Sequence, residues 1–228
     1  MKLIIDTTTR KTLLALEDDG GIVERSFEPR ATQKVIFAEL ALLLDPETLE
    51  RIDGIIVGIG PGSFTGVKIG VMAAKALAWS RGIPIVGVGS LDAVAAGMDA
   101  AEVAESSLVV AVPSTRGEAY VRIYRHRDGS WEPVGPIHDV PLEAGALSGI
   151  IPTGNLLISG EAAELLVRAL PDRPAALAPD EYRHPRAAGM LRLAGNRFTL
   201  SDTDDPLLLA PVYIRPSQPE RLGKGESA

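Results

Sequence analysis

The chain has 228 residues, 46% of them apolar, with 23 basic against 30 acidic side chains for a net charge of −7. That length and apolar content can bury a core, so wholesale disorder is excluded, and the absence of cysteine excludes a disulfide framework or a thiolate metal site. The acidic balance argues against unaided nucleic-acid binding, which needs clustered Lys and Arg to displace phosphate counterions, and leaves such a role only through a partner. Leu3-Ile4-Ile5 before Asp6 is far short of a secretory h-region and no run approaches ~18 apolar residues, so a soluble, cytoplasmic protein is expected.

In chain order, the pattern predicts strands over 2–5, 12–17 and 22–27, joined by Asp6-Thr7-Thr8-Thr9 and by the hairpin signal Asp18-Asp19-Gly20-Gly21. The period then becomes helical over 32–44. A strand at 54–58, a helix at 65–79, a strand at 83–88 and a helix at 90–98 follow, an alternation that implies right-handed crossovers and a mixed sheet covered by helices. Strands at 108–112, 118–124 and 131–134 then repeat the opening order, with Thr115-Arg116 placed as Thr9-Arg10 is. A loop at 141–155, a strand at 156–159 and a helix at 162–170 come next; four prolines between Pro171 and Pro185 precede a helix near 186–195. The reading is a first lobe over 1–100, a shortened second lobe over 101–215 and a loose tail over 216–228.

Two turns could carry chemistry. Gly58-Ile59-Gly60-Pro61-Gly62-Ser63-Phe64-Thr65-Gly66 leaves a strand and opens a helix, where glycines admit an anion to backbone amides and Ser63 or Thr65 can cap the helix. Val67 rather than glycine precedes Lys68, the dinucleotide glycine spacing is not met, and Pro61 stands where a nucleophile elbow needs glycine. The segment is either a phosphate contact through Gly60, Gly62, Ser63 and Thr65 or a tight structural turn. Asp6, Thr7, Thr8 and Thr9 end a buried strand with a carboxylate and three hydroxyls, suited to a hydrated metal and phosphate oxygens or to plain turn capping. His126, His138 and His184 have no helical partners and are expected on the surface or in loops. Arg116, Arg122, Arg125 and Arg127 make the second meander basic, and Arg122 shares a strand face with Tyr120 and Tyr124; that face is read as either RNA-facing or simply solvated.

The helices point to a partner. Ile36, Phe37, Leu40, Leu43 and Leu44 form a stripe that can cover the sheet, while Val35, Ala38 and Leu42 form a second apolar stripe opposite. In 65–79, Lys68 and Lys75 share a narrow charged stripe flanked by Met72 and Trp79 on one side and Val71 on the other. Burying such side chains is worth ~1.5–3 kcal/mol each, so the two outer faces are expected to form an interface unless the second lobe covers them.

Gly60-Pro61-Gly62-Ser63-Phe64-Thr65-Gly66-Val67-Lys68-Ile69-Gly70 with Ala74-Lys75-Ala76-Leu77-Ala78 resembles the signature of the TsaB (YeaZ) family, which takes part in making threonylcarbamoyladenosine beside the anticodon of tRNA. Leu3 to Thr9, Ile83 to Val88 with Ser90-Leu91, Arg116 to Tyr120, and Pro211-Val212-Tyr213-Ile214-Arg215 support it. The resemblance implies an α/β, two-lobed actin-like fold of the heat-shock ATPase superfamily, with ribonuclease H-like mixed sheets and a reduced second lobe. It implies a non-catalytic subunit that pairs with the transferase TsaD, or with itself as a homodimer, through the first two long helices. The ATPase TsaE joins that complex, tRNA is met only through it, and ATP or ADP with magnesium could lie at the partner interface. Thr8 replaces the glycine of the usual Asp-x-Gly turn, Pro113 replaces an aspartate, and Ala31-Thr32-Gln33-Lys34 lacks a histidine many relatives carry. Pro113 makes independent ATP hydrolysis an unfavoured alternative, and a peptidase lacks a nucleophile and base.

Overall fold

The computed structural model describes residues 1–28, 32–99 and 106–214. Strands β1 (Lys2–Asp6), β2 (Thr12–Asp18) and β3 (Gly21–Phe27) form the expected antiparallel meander. Helices α1 (Thr32–Leu43) and α2 (Pro46–Arg51) lead to β4 (Gly54–Gly60), and α3 (Phe64–Arg81) leads to β5 (Ile85–Gly89); β4 lies parallel to both β1 and β5. The order is β3-β2-β1-β4-β5. The unbroken runs Leu3-Ile4-Ile5 and Ile55-Ile56-Val57 place β1 and β4 in the centre, buried on both faces, while β3 carries Glu24 and Arg25 at the exposed edge. Ser63 caps the start of α3 and Gly82, at φ 62°, closes its end, accounting for its length.

After α4 (Ser90–Ala96) the plan repeats. Strands β6 (Ser107–Pro113), β7 (Glu118–Arg127) and β8 (Ser130–Pro141) form a second meander, followed by α5 (Ala144–Leu147), β9 (Leu156–Ser159), α6 (Ala163–Arg168) and β10 (Ala175–Leu177). This sheet runs β8-β7-β6-β9-β10, with β9 parallel to both β6 and β10: the connectivity of the first sheet again. The reduction of the second half falls on its helices. The 12 and 18 residues of α1 and α3 are answered by 4 and 6 in α5 and α6.

Helices α4 and α7 (Ala187–Thr199) lie between the sheets. Leu91, Val94, Ala95 and Met98 pack on Leu108, Val110, Val112 and Tyr124 of the second sheet, and Ala187, Met190 and Ala194 pack on Ile4, Ala15, Ile56 and Val86 of the first. With α1 and α3 on the outer face of the first sheet and α5 and α6 on that of the second, five layers result. Among the described residues no helix is long and apolar enough to cross a membrane.

Several expectations need correction. The sequence gives 101–215 to the second lobe, yet α7 and the strap 203–214 after it pack on the first sheet. The Asp204 amide donates to the Ile85 carbonyl at 2.9 Å, the Gly87 amide donates to Asp204 Oδ2 at 2.7 Å, Leu209 is buried in the first core, and the Val212 amide donates to Ile59 at 2.8 Å. The tail over 216–228, and residues 100–105 where the sequence divides the lobes, lie outside the described residues. β8 runs to Pro141 rather than stopping at Val134, because an edge strand tolerates proline where no partner needs its amide. Val71, expected on the outer flank of α3, is buried in the first core, whereas Phe37, assigned to the covering stripe, is 57% exposed.

Candidate functional site

Asp6 ends β1 with its side chain fully buried. Its Oδ1 accepts hydrogen bonds from the Thr8 amide at 2.9 Å and the Thr8 hydroxyl at 2.8 Å, closing an Asx turn. Its Oδ2 has no partner among the described residues and rests against Gly58, where any Cβ would overlap it. Burial pushes the carboxyl from 3.8 up to about 6, outweighing the two Thr8 bonds that act the other way.

The glycine-rich stretch lies directly against this turn. A Cβ at Gly62 would overlap the Thr8 carbonyl oxygen, one at Gly66 the Thr7 carbonyl oxygen, and one at Gly70 the Thr7 hydroxyl. The Ser63 amide donates to the Thr8 carbonyl at 2.7 Å, and the Thr7 hydroxyl donates to the Gly66 carbonyl at 2.6 Å. Ser63 Oγ accepts from the Gly66 amide at 3.2 Å as the cap of α3, while Gly60 precedes a cis peptide to Pro61 and Thr65 is exposed on the first turn. The fold thus brings Asp6, Thr7, Thr8, Gly62 and Ser63 together, and the glycines admit the chain's own backbone. A Gly66→Ala variant is expected to lose about 2 kcal/mol of stability, because the added methyl meets a backbone carbonyl that cannot rotate away. An unchanged urea midpoint would show that this packing carries no weight.

Thr9 and Arg10 face the second lobe. The Arg10 amide donates to Glu161 Oε2 at 2.9 Å. The Thr9 hydroxyl donates to the Lys11 carbonyl at 3.1 Å, so at 3.0 Å from His184 Nδ1 it is left to accept, which makes His184 the Nδ1-protonated tautomer. Burial, with Lys11 and Arg10 adding to it, pushes His184 down to about 4. His184 is therefore a buried neutral histidine rather than a surface one, and His126 and His138 are half-buried on β7 and β8. Neither Glu161 nor His184 is marked by any local motif; they reach Thr9 and Arg10 only through the tertiary fold.

A nucleotide with magnesium does not fit this cleft. The one carboxylate at the end of β1 is sealed behind Gly58 and Thr8, the Thr8 carbonyl and Arg10 amide are engaged, and Pro113 at the matching end of β6 has no amide to offer. Among the described residues no group of three or more His, Asp or Glu is placed to hold a metal ion.

The face of β7 with Arg122, Tyr120 and Tyr124 is neither RNA-facing nor solvated, since it turns inward onto α4; that correction applies to Arg122 and not to the other three arginines of the meander. Arg122 Nη1 lies 2.8 and 2.9 Å from the two Asp92 oxygens, and the Tyr124 hydroxyl donates to Asp92 Oδ1 at 2.8 Å. Arg116, Arg125 and Arg127 are exposed, with Arg127 3.6 Å from Glu132.

The other feature is apolar. Leu42 of α1 is 70% exposed, and Met72 and Trp79 of α3 are 64% and 68% exposed, on helices that share one face of the first sheet. Ala38 and Lys68 are exposed beside them and Val35 is half-buried. Lys68 Nζ lies 3.8 Å over the Phe64 ring, and Phe64 meets Tyr213 of the strap at a centroid distance of 5.6 Å. Lys75 is not a free charge, because its ammonium donates to the Leu209 and Leu207 carbonyls at 2.6 and 3.3 Å. The strap adds exposed Leu207 and Leu208 next to this anchoring point, a contribution that helix periodicity could not reveal. Among the described residues the second lobe leaves these side chains uncovered.

Two sheets of identical mixed connectivity around a shared helical layer define a duplicated, two-lobed α/β protein, here with the turn between its lobes closed by Glu161. The comparisons narrow that class. The chain is 32% identical to the tRNA threonylcarbamoyladenosine biosynthesis protein TsaB of Escherichia coli K12 over 224 residues, covering 93% of this chain and 94% of that protein. It is 41% identical to TsaB of Bacillus subtilis 168 over 97 residues, 42% of this chain and 40% of that protein. The solved structure of YeaZ from Pseudomonas aeruginosa matches with a TM-score of 0.77 at 26% identity, covering 93% of this chain and 99% of that one. Residues 24–145 match the family model of TsaD, the tRNA N6-adenosine threonylcarbamoyltransferase. The chain belongs to the TsaB (YeaZ) family of tRNA threonylcarbamoyladenosine biosynthesis proteins.

Proposed function

We propose that this chain is a non-catalytic subunit that supports a TsaD transferase in forming threonylcarbamoyladenosine, docking to it through the apolar face of α1 and α3. The exposed Leu42, Met72 and Trp79 carry the reading: three large side chains uncovered on one face favour association, since burying each is worth ~1.5–3 kcal/mol. The match of residues 24–145 to the TsaD model supports a pairing of related halves, in which the same helices of each subunit meet. In the absence of TsaD the same face pairs two copies of this chain, TsaE joins the heterodimer, and tRNA is met in the cytoplasm through the complex. The sealed Asp6 and the engaged turn speak against an ATPase acting alone.

Reconstitution tests this. The purified chain, TsaD, TsaE, ATP, tRNA and the enzyme that makes the threonylcarbamoyl donor are combined, and the modified base is measured by mass spectrometry. Modification that depends on the chain, with no ATP turnover by the chain alone, is expected. Modification that proceeds equally without it overturns the proposal.

A further inference from the structure

The closure of the interlobe turn has a specific agent, Glu161. It sits between β9 and α6, immediately after Gly160, which lies at φ +93° where any Cβ would overlap the Ala111 carbonyl, a carbonyl that also accepts from the Ala162 amide at 2.9 Å. A side chain at position 160 would strike that carbonyl, so the glycine lets the loop descend onto β6. The loop in turn aims the Glu161 carboxylate across the cleft at the Arg10 amide, 151 positions away in sequence.

We propose that Glu161 is a tethered anion that occupies the place a phosphate would take at the β1–β2 turn, latching the lobes and denying the turn to soluble polyphosphates. The chemistry matches. A carboxylate oxygen on a backbone amide is the charge-assisted bond that such a turn makes with a phosphate. Charged neighbours surround the turn: Arg10, Lys11 and Arg183 all act electrostatically on His184, and Glu28 lies 3.3 Å from Arg10 Nε. Arg183 is already engaged by Glu164 and Asp180, each at 2.8 Å. Removing the Glu161 carboxylate therefore leaves the Arg10 amide unfilled with Lys11 as the neighbouring cation, since Arg10 and Arg183 are already paired, a donor set open to a small anion. The latch is reinforced by His184 on Thr9 and by Arg122 and Tyr124 on Asp92, so the lobes stay together when the one bond is cut. This inference does not depend on which partner the helical face binds.

The test uses the full chain with Glu161→Ala and Glu161→Gln, amide exchange at Arg10 followed by nuclear magnetic resonance, and pyrophosphate as the probe. In the wild type the Arg10 amide is expected to be protected, and millimolar pyrophosphate leaves the Thr9 to Lys11 resonances in place. Glu161→Ala should exchange the Arg10 amide about tenfold faster and show those resonances moving with pyrophosphate. Glu161→Gln, which keeps the shape and a neutral acceptor, should fall between the two and guards against a misfolded alanine variant. Exchange at Arg10 that is as slow in both variants as in the wild type, or pyrophosphate binding equally well to all three, overturns the latch.

Discussion

Replacing Met72 and Trp79 with glutamate should weaken association with TsaD at least about 100-fold, roughly 3 kcal/mol, while leaving the fold intact. Both side chains are mostly exposed, so charge there costs the monomer about 0.5 kcal/mol or less, but in a complex it would strand two carboxylates in an apolar contact. Co-purification from cells expressing both proteins, followed by titration of the purified pair, gives the measurement. Leu165→Glu serves as the control, because Leu165 is half-exposed on α6 of the other lobe and should not change affinity. Equal binding by the double variant and the wild type would place the docking surface elsewhere.

Asp6→Asn should stabilise the protein at neutral pH and change the shape of its pH dependence. The folded Asp6 carboxyl titrates at about 6 against 3.8 when unfolded, so between those values the folded state binds more protons and stability falls as pH rises. Above pH 6 the penalty is constant, about 3 kcal/mol for two units at 1.36 kcal/mol each. Asparagine keeps the acceptor that Thr8 uses and cannot ionise. The stability difference between variant and wild type should therefore grow by about 2.5 kcal/mol from pH 4 to pH 7.5, with about 1 kcal/mol returned at every pH for an unpartnered amide. His184 has the opposite sign: it titrates at about 4 folded and 6.5 unfolded, so its contribution is complete above 6.5 and is lost as pH falls toward 4. In the wild type the two slopes oppose each other over that interval and flatten the profile; in Asp6→Asn the histidine limb should stand alone. Denaturant melts at half-unit steps of pH test this, and parallel profiles for the two proteins would mean that Asp6 is not held protonated.

The meander, the first crossovers and the duplication were legible because alternation and turn residues are local: Lys2 to Phe27 and Leu108 to Tyr124 carry their strands in their own composition. What escaped depends on neighbours distant in the chain. The four prolines between Pro171 and Pro185 hid β10, which is a strand only because β9 offers it an edge. Arg122 read as a surface cation because nothing around it announces Asp92 on α4. Gly66 and Gly70, four apart on α3, did carry a readable signal, since small residues at that spacing let a helix approach another backbone closely. Taken with Thr7 to Thr9 they would have favoured the packing role for the glycine-rich stretch. On α1, Phe37 and Leu42 were separated by a wheel that treats the helix as facing a flat sheet, whereas the helix lies so that both emerge.

The placement of α7 sets the order in which this molecule can be completed during synthesis. The inner face of the first sheet, with Ile4, Ile56 and Val86, is covered by Ala187, Met190 and Ala194, which leave the ribosome long after it. A nascent chain thus carries a greasy, half-roofed sheet through most of its translation, a state open to chaperone capture and to mispairing. A fragment ending near residue 100 is correspondingly expected to aggregate or stay unfolded, because much of what roofs its inner face comes from Ala187, Met190 and Ala194.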